Sequence, residues 1–352
     1  MKSDWIVSTS EPVLVTGANG FLGCKVVETL LSHGFSRIRC LVRPTSIVAD
    51  LEKVIGAGRD RVEVLAGNLL SPEFCRRAAQ GVSVVYHLAA GIEKSFPGSF
   101  LNTVVTTRNL LDAVLDTGAL KRFVNISSFA VYSTTKLRRG QLQDENCPVE
   151  EAHEERFDAY CYAKVKQDEI VQEYGAKRGL PYVILRPGAV YGPGTRQAIT
   201  GRVGIGTFGV FLHLGGSNPL PLTYIDNCAE AIVLAGVKAG IDGHTFNIVD
   251  DELPTSRRFL KLYKRHVRPF RSLYVPYSAF YLFCVLWEKY ARWSQGQLPP
   301  AFNRHRCSAV WKRVRYSNRK LKELVGWSPR VSFNEASQRY FSYLKASGKG
   351  VR

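Results

Sequence analysis

Short apolar runs alternate with amphipathic stretches along most of the chain. Val13, Leu14 and Val15 form one run, closed by Gly17. After Gly20 the apolar positions Phe21, Leu22, Val26, Val27, Leu30 and Leu31 recur at helical spacing, so residues 13–31 predict strand, tight turn and helix. Ile38–Val42 and Val62–Ala66 predict two more buried strands, Val82–Leu88 a fourth, Phe123–Ser127 a fifth, Tyr182–Leu185 a sixth and Thr245–Val249 a last. Helical periodicity covers 102–115, a stretch starting near Phe157, and 227–237. Strands alternating with helices predict an α/β fold, a Rossmann-type doubly wound parallel sheet. The segment 91–100 reads as a loop beside the ligand, 134–158 as a surface excursion, and 188–221, rich in glycine and poor in charge, as a flexible wall beside a ligand or a plain surface loop. From Ser256 the pattern becomes basic helices around an aromatic one at 277–293. The expected organisation is therefore a Rossmann domain over 10–187, a substrate-side segment over 188–221, a return to the core over 222–250 and a smaller, basic C-terminal substrate lobe over 251–352.

Charge sharpens that division. The chain has 352 residues and a formal net charge of +18. After position 255 there are 22 Lys and Arg against three carboxylates, which leaves 26 basic and 27 acidic side chains before it. No nucleic-acid recognition motif accompanies the charge, so the basic lobe reads as a solvated basic face, a contact for an anionic membrane surface or a site for an anionic substrate. The uncharged part of the aromatic stretch, Tyr277 to Trp287, is well short of the ~20 residues needed to span a bilayer. It reads as a core helix, a lid over an apolar substrate or an interfacial anchor. The first residues lack an apolar signal region, and the eight cysteines show no CxxC and no metal-ligand spacing. Reduced thiols, no metal and a cytoplasmic location, peripheral to the membrane if the lobe binds lipid, are the expectation; the pattern leaves a homodimer open.

The first turn carries recognisable chemistry. Gly17 permits the sharp bend, Gly20 removes the Cβ that would hold a pyrophosphate away, and Gly23 lets the helix pack closely on the strand. Arg43 follows the second strand, where nicotinamide folds meet the adenosine ribose; an arginine there suits a 2′-phosphate and favours NADP over NAD. Further on, Tyr160 with Lys164 and Tyr162 with Lys166 are two overlapping YxxxK pairs, each placing a phenol and an ammonium one helical turn apart. A cation beside a phenol favours the phenolate, so such a pair works as acid or base near neutrality. His87 reads as a structural histidine.

TGxxGxxG at 16–23, HLAA at 87–90, NISSFAVY at 125–132, YCYAK at 160–164, LRPGAVYGPG at 185–194, TYIDNCAEA at 223–231 and FNIVDD at 246–251 occur in an order that resembles the extended short-chain dehydrogenase/reductase superfamily of the NAD-dependent epimerase/dehydratase type. The resemblance covers nearly the whole chain and implies an oxidoreductase working on a small-molecule substrate. It selects Tyr160 and Lys164, since Ala163 and Asp168 stand where the family has a small residue and an acid, and it selects Ser128 over Ser127. It implies that Tyr160 exchanges a proton, that Lys164 holds the nicotinamide ribose and lowers the tyrosine pKa, and that Ser128 orients the reacting oxygen. On the cofactor side it places Gly17, Asn19, Gly20, Phe21, Leu22, Gly23, Asn68, Leu69, Ala89, Ala90 and Pro187, with Asn102, Thr106 and Asn109 on a neighbouring helix. Phe129 and Ala130 replace the Asp-Glu pair of sugar-nucleotide dehydratases. TYIDN is similar to the corresponding stretch of 3β-hydroxysteroid dehydrogenases and favours an apolar or lipid-linked alcohol or ketone. A nucleotide-sugar 4-epimerase or reductase, with Arg196 and Arg202 as diphosphate ligands, is the alternative; a non-catalytic NAD(P) sensor is the distant one. RYSNRKLKELVGWSP resembles the family's closing helix and cap, and implies packing of the lobe.

Overall fold

The computed structural model describes residues 4–348 except 92, 94, 196–198, 208, 296 and 299–300. Seven short strands form the central sheet: β1 (Val13–Thr16), β2 (Ile38–Val42), β3 (Val62–Ala66), β4 (Val84–His87), β5 (Arg122–Ile126), β6 (Tyr182–Pro187) and β7 (Thr245–Ile248). Their order is β7-β6-β5-β4-β1-β2-β3, and every pairing is parallel. Both faces are covered, as an all-parallel sheet requires. On one face α1 (Phe21–Ser32) and α4 (Ile225–Val237) pack with Val13, Val15, Val26, Val27, Leu30 and Ile232 in one core. On the other, α2 (Thr106–Asp116), α3 (Ala159–Arg178) and the helix Pro72–Ala79 cover Leu14, Val85, Leu110, Val171 and Ile184. The chain reverses direction across the sheet between β1 and β4, and ligands of such sheets bind outside the strand ends at that point.

Several elements differ from the expectation. β3 is an edge strand with Glu63, Val64 and Ala66 exposed, because no strand follows it in the sheet. The segment 91–100 is a loop only in part: the Ser95 hydroxyl accepts from Gly98 N at 3.3 Å, Pro97 sits in the first turn, and a helix Phe96–Phe100 continues through a π-helical turn, Leu101–Val105, into α2. The glycine-rich wall holds a hairpin, Gly204–Thr207 against Val210–His213, with Ser272–Tyr274 added in parallel. Its order comes from tertiary packing: Val203, Phe211, Leu220 and Leu222 share a core with Phe259 and Tyr263 of the C-terminal quarter.

The Gly-Trp-Ser-Pro stretch is a second correction. It does cap a helix, Arg319–Val325, at Gly326 with φ +75°. Trp327, however, inserts into the main core beside α1 and α4, and its Nε1 donates to Asn227 O at 3.1 Å. The helix that packs the lobe and ends the described chain is Phe333–Ala346, through Ala336, Tyr340, Phe341 and Leu344. All eight cysteines are free. Among the described residues there is no cluster able to hold a metal, and no helix long and apolar enough to cross a membrane.

Candidate active site

At the end of β1 the chain turns through Gly17 at φ +66°, a conformation that side chains with a Cβ resist. A Cβ on Gly17 would also stand 3.1 Å from Ala89 N, so the loops after β1 and β4 touch backbone to backbone. Gly23 is tighter still: its Cβ would lie 2.1 Å from Gly17 O. Gly20 is exposed and occupies the cap position of α1 without any side-chain cap, which leaves the first amides of the helix facing out beside the turn. This cradle fits the diphosphate of a dinucleotide, because bare amides and the positive helix end are presented together. Phe21 and Leu22 are half-buried and turn toward the lobe core, Ala89 and Ala90 line the end of β4, and Pro187 closes β6 in a buried position. Arg43 lies exposed just beyond β2. Asn19 donates to Ile47 O at 3.4 Å. The Asn68 side-chain carbonyl accepts from Leu70 N at 3.0 Å, so it closes its own turn, while Leu69 O and Leu70 O are held by Asn109 of α2 at 3.0 and 3.1 Å.

The helix α3 starts at Asp158, whose carboxylate accepts from Cys161 N at 3.0 Å, and this cap fixes which side chains follow on its first turn. Tyr160 is half-buried and faces Ser128. Burial raises the Tyr160 pKa, and the Ser128 hydrogen bond pulls it back. The Ser128 hydroxyl also accepts from Ala130 N at 3.1 Å. Ser127 points the other way and donates to Asp168 at 2.9 Å. Tyr162 belongs to an aromatic cluster, with ring centroids 5.5 Å from Phe96 and 5.5 Å from His153. Geometry thus separates both ambiguous pairs: Ser128 and Tyr160 face each other, while Ser127 and Tyr162 are engaged elsewhere.

Lys164 is 3% exposed, and its ammonium donates to Ile126 O at 2.6 Å and to Gln167 Oε1 at 2.8 Å. Burial pushes its pKa down to about 8, with Asp168 acting against that. The sequence expectation that Lys164 lowers the tyrosine pKa meets a different arrangement here, since the ammonium is directed at a carbonyl and an amide and Ser128 is the group that lowers the phenol.

From Lys164 a hydrogen-bonded chain crosses the protein. Gln167 Nε2 donates to Thr107 Oγ1 at 2.9 Å, and Thr107 gives its own proton to Thr103 O at 2.5 Å. His87 Nε2 lies 2.9 Å from Thr107 Oγ1 and must therefore be the donor there. Burial lowers the His87 pKa to about 3, so the ring is neutral and Nδ1 accepts from Thr16 Oγ1 at 2.9 Å. Thr16 Oγ1 in turn accepts from Ala89 N at 3.1 Å. Every proton in the chain has one place. The result ties Lys164 to the backbone of the cofactor turn, and it identifies His87 as the structural histidine expected.

A second buried network flanks it. Asp168 accepts from Asn125 Nδ2 at 2.9 Å, from Ser127, and from Arg186 at 3.1 Å, and Arg186 stacks over the Tyr132 ring with its centre 4.8 Å away. Tyr132 donates to Asn247 at 2.7 Å. Sequence reasoning used Asp168 only as a spacing marker and passed over Gln167, Thr107, Arg186 and Tyr132. The one available signal was Thr103 and Thr107 at helical spacing beside a buried histidine; the Asp168–Arg186 contact joins α3 to β6 and has no local trace. Arg196 lies outside the described residues. Arg202 donates to Ala309 O at 3.3 Å and Val310 O at 3.4 Å.

A glycine cradle at the strand ends, next to a serine, a tyrosine and a buried lysine, defines a nicotinamide-dependent short-chain dehydrogenase/reductase of the extended type. The model of the NAD dependent epimerase/dehydratase family matches residues 13–249, and the chain belongs to that family. It is 26% identical over 378 aligned residues to the 3beta-hydroxysteroid-dehydrogenase/decarboxylase isoform 1 of Arabidopsis thaliana, covering 98% of this chain and 82% of that one. To the decarboxylating sterol-4-alpha-carboxylate 3-dehydrogenase of Mus musculus it is 24% identical over 351 residues, 95% of this chain and 91% of the other. The UDP-glucuronic acid 4-epimerase from Bacillus cereus, solved in complex with NAD, has the same fold, with a TM-score of 0.70 at 21% identity over 96% of this chain and 99% of that one.

Proposed function

We propose that the protein is an NADP-preferring oxidoreductase acting on a secondary alcohol or ketone of an apolar, sterol-like or lipid-linked substrate. The cofactor, when bound, gives or takes the hydride. Tyr160 exchanges the proton at the substrate oxygen, Ser128 orients that oxygen by a hydrogen bond, and Lys164, its ammonium held by Ile126 O and Gln167, stands one helical turn away for the nicotinamide ribose. The observation that carries this reading is that Tyr160 faces Ser128, with Lys164 buried one turn further along the same helix, at the strand ends next to the glycine turn. Gly17, Gly20, Gly23, Ala89 and Ala90 receive the dinucleotide, and Arg43 its 2′-phosphate. The boundaries at 187, 221 and 250 divide the nucleotide side from the substrate side.

The two relatives named for sterol substrates support the apolar substrate. A nucleotide-sugar 4-epimerase is the second reading, favoured by the shared fold of the Bacillus enzyme. It asks for a free cation at the diphosphate, whereas Arg202 is bound to carbonyls of a neighbouring helix. Partner and place follow the same reading: a small molecule, no nucleic acid, and peripheral contact with an anionic membrane. The test is a set of assays with NADP⁺ or NAD⁺ against 3β-hydroxysterols and UDP-sugars. Sterol oxidation with NADP⁺ is expected, and Arg43→Asp should move the NADP:NAD preference by roughly tenfold or more towards NAD. Turnover of UDP-sugars alone, or an unmoved cofactor ratio, contradicts the respective half of the proposal.

A further inference from the structure

The helix α5 (Tyr277–Trp293) is apolar on two opposite sides. One side carries Phe280, Cys284 and Ala291, which are buried. They pack on α6 (Arg304–Trp311), with the Phe280 and Trp311 rings edge to face at 5.1 Å, and on Phe302. The opposite side carries Leu282, Leu286, Tyr290 and Trp293 at three- and four-residue spacing, and these are 59, 57, 48 and 77% exposed. Phe283 borders the stripe, and Leu273 and Tyr274 are exposed on the strand just before the helix. A helix on the surface of a globular protein normally presents polar residues outward, and one exposed leucine means nothing, but a continuous stripe of this kind marks a surface that something covers.

We propose that this outer face of α5 is the docking surface for an anionic lipid bilayer. Charge complementarity chooses the occupant. Lys289 lies beside the stripe, and Arg265, Arg268 and Arg271 are exposed in the segment leading to Leu273, with no carboxylate against any of the four among the described residues. A second copy of the chain would bring another quarter with 22 cations and three carboxylates against the first and be repelled. An anionic leaflet supplies the opposite sign to the arginines while its acyl region takes the leucines. Tryptophan and tyrosine at the end of the stripe suit the headgroup boundary. At 17 residues α5 is about 25 Å long and lies in the interface plane. The half-buried Trp287 packs on Phe302 and is not part of the face.

The inference rests on the membrane contact named above and is independent of the reaction, because vesicle binding is measured without turnover. Full-length protein is sedimented with vesicles of phosphatidylcholine alone or with phosphatidylserine added. Pelleting with the phosphatidylserine vesicles and roughly tenfold weaker binding to the neutral ones are expected. Leu282→Glu with Leu286→Glu, and separately Arg265→Glu with Arg268→Glu, should each weaken binding by roughly tenfold and leave the thermal midpoint unchanged. The proposal is overturned if no vesicle pellets the protein, if neither variant changes the pelleting, or if sedimentation equilibrium finds a dimer that Leu282→Glu with Leu286→Glu dissociates while vesicle binding is absent. Should sterol turnover fail while vesicles still bind, the substrate assignment falls and the docking face stands.

Discussion

Around Tyr160 the charged side chains are folded inward and matched: Asp168 with Arg186, Lys164 with Gln167 and a carbonyl, and a neutral His87 between two hydroxyls. In the C-terminal quarter cations outnumber carboxylates by 22 to three, and both the surplus charge and a row of leucines lie at the surface. Burial makes each polar group of the first region depend on its partner, since a lone buried charge is costly. Solvent lets each exposed cation of the second stand without a fixed partner. One region has its charges fixed by partners within the chain; the other leaves them at the surface.

The largest effect belongs to Tyr160→Phe, which removes only the oxygen proposed to transfer the proton: turnover should drop about 10²- to 10⁴-fold with cofactor affinity kept, as read from kcat and a binding titration. Tyr162→Phe keeps the ring that packs on Phe96 and His153 and should change kcat by no more than a few-fold. If the two results were exchanged, the assignment of the acid–base group would move by half a helical turn.

Next comes Asp168→Asn. It keeps the size of the side chain but leaves Arg186, 4% exposed, with no charge to face, and should cost about 3–5 kcal/mol in urea denaturation. Arg265→Glu, on the lobe surface, should stay within about 0.5 kcal/mol. Similar losses at the two positions would erase the distinction between the regions.

A smaller loss than that at Asp168 is a pH dependence centred on His87. In the folded protein its pKa is lowered to about 3, against 6.5 for the free side chain, so between those values the unfolded chain holds a proton that the native one refuses. This contribution is fully present above about pH 6.5 and is lost as pH falls, at up to about 1.4 kcal/mol per unit. Asp250 acts with the opposite sign, because burial raises its pKa to about 7 and the native state then holds the extra proton. The difference between wild type and His87→Gln cancels Asp250. Their stability gap should narrow by about 2 kcal/mol from pH 7 to pH 5, and a constant gap would mean that His87 is not held neutral.

What the sequence by itself determined is the part written in local pattern. Val13 to Leu31 specifies strand, glycine turn and helix because three glycines and a helical repeat are consecutive in the chain, and the strand–helix alternation fixes a parallel sheet. Helical spacing within α3 likewise offers the two YxxxK pairs, Tyr160 with Lys164 and Tyr162 with Lys166. Tertiary structure decided what depends on distant residues meeting. The hairpin at 204–213 forms because Phe211 packs with Phe259 and Tyr263, and Trp327 enters the sheet core because Asn227, a hundred residues earlier, offers it a carbonyl. Ser127 and Ser128 are chemically equal in sequence; the position of Asp168 against one and Tyr160 against the other separates them. The same holds for α5, whose periodicity predicts a helix but not which of its two apolar sides is buried, since that is set by where Trp311 and Phe302 lie once the chain has folded.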